Sequence, residues 1–176
     1  MHLIEALSDL CKSTPQPIIS IDGPAGAGKT TLAHDLASTL DLTVRVIHMD
    51  DLYDGWDNAL SDHLTQTLLT LIKGHKSKAS LEFHKYDWRL HQFNEAVALE
   101  ARDLLILEGV GSGQKAVREY LAALIWMEIE PQSGFERVLA RDGREIETPM
   151  RQWLKAQDGH FVLHSTHEAA DFVITT

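Results

Sequence analysis

The sequence is short of several things. It has one cysteine, Cys11, in 176 residues, so no disulfide can form within the chain. That usage fits a reducing compartment and makes the cytoplasm the expected location. No apolar run approaches the roughly 20 residues needed to cross a bilayer, and no membrane association is expected. The opening "MHLIEALSDLCKS" lacks the basic start and apolar centre of a secretory leader. Positive charge is also scarce. Sixteen Lys and Arg stand against 26 Asp and Glu, for a net charge of -10. A nucleic-acid surface needs many cations to neutralise phosphates, so nucleic acid is not an expected partner. A few local cations are enough to hold a small polyanion. The length fits one domain, residues 1–176, large enough to bury a core without staples.

Against this background one stretch stands out, "SIDGPAGAGKTTLA" from Ser20 to Ala33. "GPAGAGKT", Gly23 to Thr30, satisfies G-x-x-x-x-G-K-[ST] and lies between an apolar strand-like run and a helical segment, as a phosphate loop requires. Glycines let the backbone curl so that successive N–H groups point at an anion, and the next helix adds its free N–H groups and positive end. Gly23, Ala25, Gly26, Ala27, Gly28, Lys29, Thr30 and Thr31 are therefore the expected nucleotide-binding residues. Lys29 meets the β/γ-phosphates as a point charge, Thr30 offers a hydroxyl to Mg²⁺, and Thr31 lies near the α-phosphate.

Strand-like and helical stretches alternate along the rest. "PIISID", "TVRVIHMD", "DLLILEG", "LIWMEIE" and "DFVITT" read as strands with continuous apolar runs. That pattern predicts a parallel sheet covered on both faces, a three-layer α/β/α sandwich of about five strands. Helices are expected near the N-terminus, from Gly28, over Asn58–Gly74 with Gly74 as its stop, in "FNEAVALEA", in "KAVREYLAA" and in two segments after Ser133. The stretch His75–Phe93 shows little periodicity. Ligands in such sheets bind beyond the carboxyl ends of the strands, which here carry Gly23, Asp50, Glu108 and Glu130.

The segments "ISIDGPAGAGKTTLA", "MDDLY" and "LILEG" together resemble the uridine kinase-like, nucleoside kinase branch of the P-loop kinases. The resemblance implies a five-stranded parallel sheet, ATP and Mg²⁺ as cofactors, and transfer of a phosphoryl group to a hydroxyl of a small molecule such as uridine or cytidine. It makes Asp50 the general base, with Asp51 as the rival carboxylate and Tyr53 beside the acceptor. Glu108, at a strand end before a glycine turn, would hold Mg²⁺ or acceptor hydroxyls. Asp87, in "FHKYDWRLHQF", would bind acceptor hydroxyls, while Tyr86 or Trp88 would stack on a ring. Arg137, Arg141 and Arg144 share a helical spacing. By the resemblance, Arg141 and Arg144 belong to a lid that closes over the phosphates. His160, His164 and His167 are spaced like metal ligands, but no cysteine or placed carboxylate completes such a set, and a semi-buried helix face is expected. Two other readings stay open: a nucleoside monophosphate kinase, and a nucleotide-binding regulatory NTPase without a small-molecule acceptor.

Overall fold

The computed structural model describes residues 3–176. Five strands form one parallel sheet: β1 (Ile18–Asp22), β2 (Val44–His48), β5 (Leu104–Glu108), β6 (Ala123–Glu128) and β7 (Phe172–Thr175). Their spatial order is β2-β5-β1-β6-β7. β1 lies between β5 and β6, with Ser20 opposite Leu107 on one side and Leu124 on the other. Its carboxyl end therefore opens at the point where successive connections leave in opposite directions, the position where such sheets take ligands.

Alternate residues of the central strands feed two cores, because side chains point to opposite faces of a strand. Ile19, Ile21, Leu104 and Ile106 pack with Leu7 and Cys11 of α1 (Leu3–Ser13) and with Ala33 and Leu36 of α2 (Lys29–Thr39). Ile18, Leu105 and Leu107 pack on the other face. Their partners include Leu64, Leu68 and Leu71 of α3 (Asp62–Ser77), Phe135 and Val138 of α4 (Pro131–Asp142), and Met150 and Trp153 of α5 (Glu147–His164). Burial on both faces explains why these strands read as unbroken apolar runs.

Several local expectations need correction. "FNEAVALEA" is not helical. The polar stretch and this segment form a separate antiparallel hairpin, β3 (Leu81–Asp87) and β4 (Gln92–Leu99). Gly74 does not stop α3. It lies inside the helix, where a Cβ would come within 1.9 Å of the Leu81 side chain, so glycine admits the close approach of β3. The helix ends instead at Lys78, in left-handed conformation at φ 56°, whose N–H bonds back to the carbonyls of Gly74 and His75. "KAVREYLAA" yields only a 3₁₀ turn over Lys115–Tyr120. The second strand is shorter than expected, and Met49–Asp51 form a 3₁₀ turn at its end. Glu130 is an N-cap: its carboxylate accepts from the N–H groups of Gln132 and Ser133 and holds the start of α4. No described helix is long and apolar enough to cross a membrane.

Candidate functional site

The loop after β1 turns directly into α2. Gly28 sits before the helix in left-handed conformation, φ 87°, with no side chain capping the helix start, so the first N–H groups of α2 stay available to an anion. Gly26 serves a different need. A Cβ there would lie 2.2 Å from the Gly134 carbonyl oxygen, so the loop and α4 touch backbone to backbone. From the other side, Gln157 of α5 accepts from the Ala25 N–H at 3.1 Å.

Lys29 is buried and donates to the carbonyls of Gly23 at 2.8 Å and Pro24 at 2.7 Å. Burial pulls its pKa below the usual lysine range, opposed by the charges of Asp22, Glu108 and Asp50. Thr30 Oγ1 donates to Glu108 Oε1 at 3.1 Å. Glu108 is 5% exposed, and the same oxygen meets His48 Nδ1, a contact that raises the pKa of the imidazole.

Asp50 projects from the 3₁₀ turn after β2 into the same cleft. Asp50 is exposed on its cleft side, while the protein packed around it leaves the carboxylate partly desolvated. That desolvation, with Glu108 beside it, raises its pKa against the pull of Lys29 and Arg141. Asp51 instead pairs with Lys85 of β3 at 3.0 Å. Trp88, just past β3, donates its indole N–H to the Asp50 carbonyl at 3.0 Å. The hairpin thus grips the turn that carries both aspartates.

These groups line a cleft of about 690 Å³. Lys29, Thr30, Thr31, Asp50, Tyr53, Glu108 and Arg141, all singled out from sequence, border it, as do Ala25, Gly26 and Gly28. Gly23 and Ala27 are buried within the loop and do not line it. Tyr53 is buried, and its hydroxyl is engaged by the Val110 carbonyl at 2.8 Å. Two expected residues stand apart. Asp87 caps the hairpin turn, accepting from the N–H groups of Arg89 and Leu90, and is absent from the cleft wall. Arg144 lies exposed in a 3₁₀ turn after α4, also outside it. Arg141 is gripped by its neighbour Asp142 through two bonds of 2.6 Å.

Sequence reasoning missed Trp56 and Trp153, which form the apolar wall with Trp88, and missed Gln157, His48 and Asp22. Asp22 is fully buried at the end of β1. It accepts from the N–H groups of Gly23 at 2.7 Å, Gly111 at 3.1 Å and Gly113 at 2.8 Å. Burial raises its pKa to about 6 despite these bonds. The "DGP" of the loop was a visible signal, but partners about ninety residues away were not.

The histidines of α5 and of the turn after it do not form a metal set. His160 is buried with Nε2 unpartnered, His164 accepts from the Lys115 N–H, and His167 reaches Glu128. Among the described residues no group of three His, Cys, Asp or Glu side chains could hold a metal ion. The donor pair at the phosphate loop is of another kind. A hydroxyl and a carboxylate 3.1 Å apart beside the uncapped start of α2 suit a cation that completes its shell with phosphate oxygens and water. Mg²⁺ and a nucleoside triphosphate fit these residues.

A phosphate loop at the switch point of a parallel β2-β5-β1-β6-β7 sheet defines a P-loop nucleotide-binding α/β protein. The family model described as "AAA domain" matches residues 19–157, and the chain belongs to that family. The chain is similar to uridine kinases. It is 29% identical over 181 residues to the uridine kinase of Halobacterium salinarum, covering 91% of this chain and 80% of that protein. It is also 27% identical to the cytidylate kinase of Haloarcula marismortui, covering 88% of this chain and 74% of that one. Among solved structures, a possible uridine kinase from Bacillus stearothermophilus superposes with a TM-score of 0.69 at 22% identity, covering 97% of this chain and 96% of that chain. The fold and relatives are those of nucleoside- and nucleotide-kinase-like P-loop proteins.

Proposed function

We propose that the protein is an ATP-dependent kinase that phosphorylates a hydroxyl of an uncharged, nucleoside-like small molecule. The observation that carries this reading is that one cleft joins the phosphate loop to an acidic and aromatic wall. Lys29, the first amides of α2 and Arg141 neutralise the triphosphate and hold the γ-phosphoryl group in place. Mg²⁺, when bound at Thr30 and Glu108, supplies further charge neutralisation at the phosphates. Asp50 orients the acceptor hydroxyl and takes its proton as the new oxygen–phosphorus bond forms and the bond from the γ-phosphorus to the β,γ-bridging oxygen breaks, with ADP as the leaving group, so that catalysis is largely alignment and electrostatics. Its raised pKa suits a base that must accept a proton. Trp56, Trp88 and Trp153 offer apolar faces for a ring and help exclude water.

The distribution of charge favours a nucleoside over a nucleoside monophosphate. The basic side chains lining the cleft are Lys29, Arg137 and Arg141, which belong to the phosphate loop and to α4 above it. On the hairpin side stand Asp50 and Asp51, and Lys85 is already paired with Asp51. A phosphate on the acceptor would meet repulsion there. The test is ADP formation from ATP with uridine, cytidine, UMP, CMP or no acceptor. Turnover with a nucleoside is expected. Preference for UMP or CMP would identify a monophosphate kinase, and hydrolysis without acceptor a regulatory NTPase. In Asp50→Asn, transfer should fall about 10²- to 10⁴-fold, the contribution typical of a general base, with ATP binding kept.

A further inference from the structure

We infer that Asp22 is a positioning residue that fixes the Glu108 side of the site against the phosphate loop, and so sets how strongly Mg²⁺ supports nucleotide binding. The inference rests on the nucleotide-binding reading above and concerns a residue that reading does not use.

Three amides from two loops converge on this one carboxylate. Gly23 opens the phosphate loop. Gly111 and Gly113 belong to the turn that follows Glu108. Oδ1 accepts from Gly23, Oδ2 accepts from Gly113, and the Gly111 N–H lies 3.1 Å from both oxygens. Asp22 is fully buried, so these bonds are shielded from water and their geometry is demanding. Gly111 takes φ 87°, a conformation that L side chains rarely adopt, and this backbone shape presents its N–H to the carboxylate. Arg118 holds the turn from behind, donating Nε to the Gly113 carbonyl at 2.8 Å. The turn cannot shift without breaking bonds to a buried charge.

The consequence follows from the site's two halves. Lys29 and Thr30 come from the segment after β1, and Glu108 from β5. The strand ladder reaches Glu108, opposite Ile21, and the Gly109 N–H adds a 3.0 Å bond to the Ile21 carbonyl; past that point the turn is tied back to β1 by side chains. Asp22 is the last residue of β1 and grips the loop just past Glu108. Its charge also acts on Lys29. Residues that brace metal ligands in this way matter for affinity although they never touch the ion.

The same turn has a second, uncharged tie to β1. Ser112 Oγ lies 2.8 Å from Ser20 Oγ and donates to the Ile21 carbonyl. Ser112→Ala is therefore a control for loop packing. In Asp22→Asn the shape is kept, but the charge is lost and an amide N–H₂ faces backbone donors.

The experiment measures ATP binding by calorimetry across a Mg²⁺ series, with melting temperature recorded for each variant. Asp22→Asn is expected to raise the Mg²⁺ concentration for half-maximal effect about tenfold or more. Ser112→Ala should lower the melting temperature and leave that concentration unchanged. An unchanged Mg²⁺ requirement in folded Asp22→Asn overturns the inference, as does an equal shift in both variants. If Asp22→Asn does not fold, the wild-type protein decides. Adding Mg²⁺ to its ATP complex should move the Gly111 and Gly113 amide resonances, and static resonances reject the coupling. Wild-type protein that binds no ATP with Mg²⁺ would instead refute the nucleotide-binding reading itself.

Discussion

Thr30 and Glu108, 78 residues apart in the chain, meet through a 3.1 Å hydrogen bond at the mouth of the phosphate loop. One comes from the first turn of α2 and the other from the last residue of β5, and the pairing of β1 with β5 brings these distant segments side by side. The bond joins two hard oxygen donors suited to Mg²⁺. Glu108→Gln keeps an acceptor for Thr30 but removes the charge. Groups one step removed from a metal cost about 10- to 100-fold in affinity when lost, so a donor itself should cost at least about tenfold. Titration of Mg²⁺ against ATP binding measures this. The melting temperature should change little, and a Mg²⁺ requirement equal to that of wild type would remove Glu108 from the metal site.

The hairpin leads to a second prediction. Trp88 holds the Asp50 carbonyl through its indole N–H, and Phe at this position keeps an aromatic ring but cannot donate. A single hydrogen bond of this kind is worth about 1 kcal/mol, so Trp88→Phe should lower kcat by about two- to tenfold. ATP affinity should stay the same, because the phosphate loop is untouched. Steady-state kinetics with the preferred acceptor checks this, and an unaltered kcat would separate the hairpin from the placement of Asp50.

How far the sequence reveals this arrangement depends on the range of the interactions involved. The phosphate loop is legible because its chemistry is local: eight consecutive residues carry the glycines, the lysine and the hydroxyl. The five-stranded sheet is legible because strands such as "LLILE" are buried on both faces and read as unbroken apolar runs. The hairpin is not. "FNEAVALEA" is rich in Glu, Ala and Leu, which favour helices, and β4 is largely exposed, so no burial pattern marks it as a strand. What makes it a strand is its pairing with β3, from Leu81 opposite Leu99 to Asp87 opposite Gln92. The tryptophan wall has the same origin. Trp56, Trp88 and Trp153 lie on three separate segments and meet edge to face, with centroids 5.3 Å and 6.2 Å apart for Trp56 with Trp88 and with Trp153. Asp87 shows the converse. Its residue type suggested a ligand, and the tight turn beside it uses both backbone bonds the carboxylate makes.

The last prediction concerns stability against pH. His160 is buried, its Nε2 has no partner, and it lies against His164 with ring centroids 4.2 Å apart. Burial, aided by the charge of His164, lowers its pKa from 6.5 to about 4. The neutral ring is thus the folded form. The stability that goes with it is fully present above pH 6.5 and is lost as pH falls through 6.5 toward 4, because the unfolded chain takes up the proton first. A shift of this size corresponds to on the order of 3 kcal/mol at the acid end. Asp22 acts in the opposite sense. Its pKa is raised from 3.8 to about 6, so its share is present below pH 3.8 and is lost as pH rises through 6. The comparison of His160→Leu with wild type cancels that share. The substitution removes an orphaned polar atom and the titrating ring together, so the variant should be at least as stable at pH 7 and should lose less stability between pH 7 and pH 4. Denaturant unfolding at each pH gives the difference. Parallel curves for the two proteins would mean that the imidazole finds a proton-accepting partner in the folded state, and that acid sensitivity arises elsewhere.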